Sequence, residues 1–347
     1  MIAAHADWSI DPRKRWITWA LRRNGQWQAA APAPVGELAA LLPRLLAPGL
    51  PVAFGLDLPL GVPREFAAGR SEPGFAAFLR GLAGNPDFFR VSAGLETVSP
   101  ARPFYPARGI AGMTRAAHAA ALGLSGPLGL SRWCDRATAE RPAGAPLFWT
   151  LGANQSGKAA ITAWRDWIVP ALCAGLPIRL WPFEGALHAL LAPGIAVLAE
   201  VYPAEALRHC GLRLAGSKRA QAPRRALAPA LLAAMAAREV QPDAALAAAV
   251  QSGFGADAAG EDRFDSVIGL LGLIGVLDGR RSDFVPDDPW VRGWEGWVLG
   301  QTALPRPGSN GKGPVAAVAS PWSGSRPDGA TGSGENARRD RQPGSLP

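Results

Sequence analysis

The chain has 347 residues, 48% of them apolar, and a formal net charge of +8. That apolar share is ample for a packed core and excludes a globally disordered chain, while the length allows one large domain or two ordinary ones. Three scattered cysteines, Cys134, Cys173 and Cys210, have neither metal-ligand nor C-x-x-C spacing, which excludes a disulfide framework and predicts reduced thiols in a cytoplasmic setting.

The opening stretch "MIAAHADWSIDPRKRW" has no basic region followed by an apolar one, so no secretory signal is expected. Three strands are predicted over residues 2–9, 14–22 and 26–31. Asn24-Gly25 between the second and third is the strongest short hairpin signal. A helix is predicted over 35–47, with Leu38, Leu41, Leu42, Leu45 and Leu46 on one face and Pro43 interrupting it. The apolar run "LPVAFGLDLPLGVP" then reads as a buried central strand whose C-terminal end carries Asp57. Residues 64–150, rich in aromatics and Pro with short helical pieces, read as an insertion or cap on the same domain.

Next comes "GANQSGKA". Gly152, Gly157 and Lys158 fit the phosphate-loop pattern G-x-x-x-x-G-K-[ST], but Ala159 stands where the metal-binding hydroxyl belongs. The stretch therefore reads as the entry to a helix, with Asn154, Gln155 and Lys158 as candidate phosphate contacts. In the plain alternative Asn154 or Ser156 caps the helix and Lys158 is solvated. Strands follow over 177–183 and 195–203, the second carrying Glu200, and the final third is helical. Its most apolar part, "VIGLLGLIGVL", is too short to span a bilayer, so no membrane partner is expected. Residues 303–347 cannot bury enough apolar surface to order themselves and are predicted to be a disordered tail. The tail supplies +3 of the charge, through six basic and three acidic residues. The domain proper, residues 1–302, keeps a mild basic bias.

Asp7, Asp57 and Glu200 each lie near the C-terminal end of a predicted strand, where α/β sheets gather ligands and catalytic groups. Asp262 and Asp265 project from one face at the start of a helix. Singly, each acid is also explained by a turn or a first-turn charge. Together they suit divalent cations, which need hard carboxylate oxygens from several elements to activate water and stabilise a leaving oxygen. Arg132 and Arg136 are four apart on a predicted helix face and could meet a phosphate. Lys218 and Arg219 belong to a basic cluster, with Arg208, Arg213, Arg224 and Arg225, that suits either a solvated face or a phosphate track. Trp290, Trp294 and Trp297, at helical spacing, read as core.

The segments "HADWS", "FGLDLPLGVP", "RWCDR", "GANQSGKAA", "EVYPAEAL" and "EDRFDSVIGLL" occur in an order that resembles the family called domain of unknown function 429, over roughly residues 2–300. The resemblance implies a ribonuclease H-like fold: a mixed sheet with three antiparallel strands followed by parallel ones, flanked by helices. It also implies a nuclease activity on DNA or RNA that depends on Mg²⁺ or Mn²⁺. Asp7, Asp57 and one of Asp262 and Asp265 would be the metal ligands, with Glu200 close by. Two other functions are compatible with the same residues: a non-catalytic nucleic-acid-binding protein, and a phosphotransferase that uses the "GANQSGK" loop. Geometrically, Asp7, Asp57 and Asp265 should converge, with Lys158 at the rim. A separation of Asp7 from Asp57 beyond about 8 Å would preclude a shared two-metal centre.

Overall fold

In the computed structural model, residues 1–109, 111–151 and 156–306 are described. The chain begins with three antiparallel strands, β1 (Ile2–Asp7), β2 (Trp16–Arg23) and β3 (Gln26–Ala29). Asn24 and Gly25 close the β2–β3 hairpin at φ 51° and 83°. These are the two left-handed positions of a type I′ turn, which matches the twist of the flanking strands. A short β4 (Ala33–Pro34) pairs with the start of β2. Helix α1 (Leu38–Leu46) follows and buries Leu41, Leu42 and Leu45; it spans the leucine pattern, starts three residues later than the predicted range and contains Pro43. Then β5 (Val52–Leu56) returns parallel to β1.

The segment expected to be an insertion holds only short helices, α2 (Arg64–Ala67), α3 (Phe75–Gly81) and α4 (Arg115–Ala121), linked by 3-10 turns. Helix α5 (Ser156–Ala163) runs through a π-helical turn, Trp164–Ile168, into α6 (Val169–Cys173). After β6 (Ile178–Leu180) and α7 (Leu187–Leu190) comes β7 (Ala196–Glu200), parallel to β5. Helices α8 (Pro203–His209), α9 (Gln221–Ala226) and α10 (Ala228–Ala236) lead to β8 (Val240–Pro242), then α11 (Ala244–Gln251) and α12 (Gly260–Leu277). The sheet order is β6-β7-β5-β1-β2-β3-β8, with β4 beside β2. Neither β4 nor β8 is foreseen by the sequence pattern, because two or three residues cannot display a period of two.

Strand alternation sorts the core into two layers. On one face Ile2, Ala4, Ala6, Val52, Phe54 and Leu56 pack with α1 and with Trp164, Trp167 and Ile168. On the other, Ala3, Ala53, Val197 and Ala199 lie under α8, α10 and α12. Burying a Leu, Ile or Phe side chain contributes roughly 1.5–3 kcal/mol, so each layer outweighs any single polar contact described below. Helix α12 is buried from Phe264 to Leu277 except at Gly272, as expected of a helix that is apolar all round. Small residues let it lie close. A Cβ on Gly269 would meet the His5 ring at 2.1 Å, and one on Gly272 would meet Ala206 at 2.5 Å. Trp294 and Trp297 are core residues, as their spacing predicts. Among the described residues no helix is long and apolar enough to cross a membrane.

Candidate functional site

Register explains why three distant aspartates meet. In β1 the residues Ala3, His5 and Asp7 share the face that lies under α12, and so do Ala53 and Gly55 of β5 with Asp57 just beyond its end. Leu56 pairs with Ala6 in the parallel ladder, and the Asp57 N–H donates to the Ala6 carbonyl at 3.1 Å. Asp7 and Asp57 thus leave adjacent strands side by side, their carboxyls within hydrogen-bonding reach. That lies inside the roughly 8 Å limit for two acids that must share a metal centre. Since Gly269 of α12 sits on His5, one helical turn back brings Asp265 over the next residue of that strand face, Asp7.

The electrostatics follow from that crowding. Burial lifts the Asp7 carboxyl well above the usual range, and the charges of Asp57, Asp265 and Asp262 add to it. Burial and then Asp265 push Asp57 up to about 7. Asp262, half-buried in the first turn of α12, is pushed up to about 6 by burial, and its Oδ2 has no hydrogen-bond partner. The cation paired within the group is Lys218. Lys218 Nζ ion-pairs with Asp265 Oδ2 and lies 3.4 Å from Glu261 Oε1. Burial acts to pull Lys218 down, but the Asp265 carboxylate more than offsets it and leaves the ammonium above its usual range. The loop that carries Lys218 is clamped by the buried Arg224, which donates to the Lys218 carbonyl and to Gly253 O at 2.9 Å and Gly255 O at 2.7 Å.

Glu200 is near enough to the aspartates for its charge to help raise Asp57, as expected, but its side chain leaves the other face of its strand. Its ladder partner is Leu56, so it shares the face of Leu56 and not that of Asp57; one residue of phase decides this. There it accepts from Leu60 N–H at 2.8 Å and from both terminal nitrogens of Arg132 at 2.6 and 2.7 Å. Arg132 is itself fully buried and also grips Asp135, through Nε at 2.9 Å and Nη2 at 2.8 Å. Arg132 and Glu200 therefore form a structural knot that ties a 3-10 turn, Trp133–Asp135, to the sheet. Both side chains are fully buried in this network. The helix expected to align Arg132 with Arg136 is only that single turn, and the charges of Glu295 and Glu65 act on Arg136.

Lys158 also departs from its expected place at the rim. It lines a different cavity, together with Thr162 and Arg165, and Lys218 is the cation among the carboxylates instead. Gly157 is explained by packing, since a Cβ there would meet the Leu147 carbonyl oxygen at 2.1 Å. With Ala159 in place of a hydroxyl, the resemblance to a phosphate loop has no support from these residues. Asn154 and Gln155 lie outside the described residues, as does the tail beyond Arg306. Arg219 is largely exposed, 3.7 Å from Glu261.

A cavity of about 430 Å³ opens beside the aspartates, lined by Asp57, Lys218, Trp8, Tyr202, Arg141 and Arg208 among others. Arg141 ion-pairs with the buried Glu205, and Arg208 lies 3.8 Å from the same acid. Trp8 and Tyr202 were not singled out by the sequence, although they lie one and two residues past the strand-end acids Asp7 and Glu200 and so could have been read as mouth residues.

Whether these groups suit a divalent cation is a question of donor chemistry. Asp7 and Asp57 offer hard oxygens with no ion-pair partner among the described residues, and their mutual repulsion would be relieved by a cation. Asp265 is committed to Lys218. Correspondingly, among the described residues no three His, Cys, Asp or Glu side chains form a ready cage. The set suits Mg²⁺ or Mn²⁺ in the manner in which Mg²⁺ is usually held, by one or two carboxylates with substrate oxygens completing the shell. Family models, curated proteins and solved structures were all compared with this chain, and none matches it.

Proposed function

We propose that the protein is a divalent-metal-dependent phosphodiester hydrolase acting on nucleic acid, built on a ribonuclease H-like sheet. The observation that carries this reading is the convergence of Asp7 and Asp57 from adjacent strand ends, with the first turns of α12 above them. The order β3-β2-β1-β5-β7, three antiparallel strands and then parallel ones, agrees with that fold. Asp7 and Asp57 would hold Mg²⁺ or Mn²⁺, which supplies a Lewis acid and a water of lowered pKa. Lys218, ion-paired to Asp265 in the free protein, is the cation nearest the carboxylates and can transfer its pairing to a substrate phosphate. Arg208 and the exposed Arg219 extend that positive charge outward from the cavity. Trp8, in the cavity wall, presents a ring against which a base or sugar can pack.

The decisive comparison uses single-stranded DNA, duplex DNA, RNA, hybrid and branched substrates, each with Mn²⁺ and with Mg²⁺. Cleavage should be present in the wild type and reduced about 100-fold or more in Asp7→Asn with the fold retained, since a metal ligand is removed. If no substrate is cut under any of these conditions, the hydrolase reading is lost. A second reading, a non-catalytic nucleic-acid-binding protein, is favoured by one observation, the Lys218–Asp265 ion pair that occupies the third acid. It predicts salt-sensitive binding that is indifferent to Asp7→Asn and to divalent metal.

A further inference from the structure

The functional site leaves Lys158 unexplained, and its surroundings are specific. It opens onto a cavity of about 590 Å³. The walls are apolar, contributed by Ile10, Leu38, Phe89, Val91 and Ile161. Three cations, Arg15, Lys158 and Arg165, line it against a single acid, Asp166. Arg165 uses Asp166, through Nε at 2.6 Å and Nη2 at 3.0 Å. The buried Arg15 donates to the Ser9 carbonyl at 2.7 Å and lies over the Trp8 ring. Lys158, partly buried, has no carboxylate partner among the described residues. A lysine that is neither paired nor fully solvated, in an apolar hollow with surplus positive charge, is a poor structural element but a good anchor for an anion.

We propose that this cavity is a second ligand site, separate from the aspartate centre, which takes a small amphipathic anion: an apolar body in the hollow and one carboxylate or phosphate on Lys158. Its volume falls in the range of small-molecule sites, which are apolar hollows with a few placed polar groups. A free nucleic-acid strand fits less well, because the lining offers a single aromatic ring, Phe89, to unstacked bases. The site is joined to the aspartate cavity through Trp8, over whose ring Arg15 lies. Trp8, in the wall of the aspartate cavity, donates its Nε1–H to Thr162 Oγ1, in the wall of this one, at 3.2 Å.

The test is calorimetry on the full chain with three probes of one chain length: octanoate, octyl phosphate and neutral 1-octanol. At least one anionic probe should bind at sub-millimolar concentration and more tightly than the alcohol. Which anion binds better identifies the head group. Lys158→Met should weaken the anion about tenfold or more while leaving the alcohol unchanged, the loss expected for one charge-assisted contact. Val91→Trp, at a partly exposed wall position, should block all three by filling the hollow. Asp7→Asn should bind the probes like the wild type, so a failure of the hydrolase reading leaves this outcome untouched. The proposal is overturned if neither anion binds at millimolar concentration, or if both variants bind like the wild type.

Discussion

At the residue scale the site is a problem of unbalanced charge. Lys218 is the ammonium that acts on Asp7, Asp57 and Asp265, and it pairs with Asp265, while Lys14 acts on Asp262 from outside. Lys218→Met should therefore act in two directions. It leaves Asp265 buried without its cation, which destabilises; because the lysine side chain is 41% exposed, the loss is expected near 1–2 kcal/mol, below that of a fully buried pair. It also frees the third carboxylate, so Mn²⁺ should bind several-fold more tightly. Urea denaturation and calorimetric Mn²⁺ titration read the two effects separately. Weaker Mn²⁺ binding in this variant would mean that Lys218 supports the cation site and does not compete with it.

At the element scale, the position of α12 depends on a contact with no chemistry of its own. His5 is buried with Nε2 3.3 Å from the Val201 carbonyl, and Gly269 leaves room for its ring. Gly269→Ala puts a methyl group into that ring. Overpacking of this kind costs about 1–3 kcal/mol, and the helix can relieve it only by moving away from β1, which would carry Asp265 from Asp7. Pairing it with His5→Ala should restore part of the loss. A double-mutant cycle is expected to show favourable coupling of about 1 kcal/mol or more. Additive effects would show that helix and strand are not held by this fit. The Arg132–Glu200–Asp135 knot plays a corresponding role at the edge of the aspartate cavity, which Asp135 also lines, and fixes a turn of the insertion to β7.

For the whole molecule, buried ionisable groups make stability depend on pH in opposing ways. Burial depresses His5 and His209 to about 4, below the ordinary histidine value near 6.5. The unfolded chain therefore binds more protons between these values, so their contribution is complete above about pH 6.5 and is lost as pH falls towards 4. The aspartates act with the reverse sign. Asp57, near 7, and Asp262, near 6, are more protonated in the folded protein, so stability falls as pH rises through 4 to 7. Above pH 6.5 the histidine contribution is complete, and the raised acids Asp7 and Asp57 outweigh the single, mostly exposed Met1 ammonium, which burial lowers and which acts with the opposite sign. Stability should therefore decline from pH 6.5 to 8, and Asp57→Asn should flatten that decline and gain about 1–3 kcal/mol at pH 8. Urea midpoints at the two pH values measure this. A wild type more stable at pH 8 than at 6.5 would contradict the crowded-carboxylate picture.

The sequence by itself determined the strands that carry Asp7 and Asp57, the Asn24–Gly25 hairpin between β2 and β3, and the burial of the helix that starts just before Asp265. These are legible because period-two alternation, turn chemistry and an all-apolar helix are local signals. Tertiary structure alone decided the rest. Glu200 looked equivalent to Asp57, yet its register with Leu56 turned it to the opposite face, where Arg132 consumes it. Lys158 looked like the cation of the site because of its glycine-rich neighbours, but Gly157 answers to Leu147 and Lys158 opens onto another cavity. Lys218, in a cluster that read equally well as a solvated face, became the site's ammonium because Arg224 holds its loop against α12. Strand phase between non-adjacent segments and the anchoring of a loop depend on contacts between distant residues, which no local pattern records.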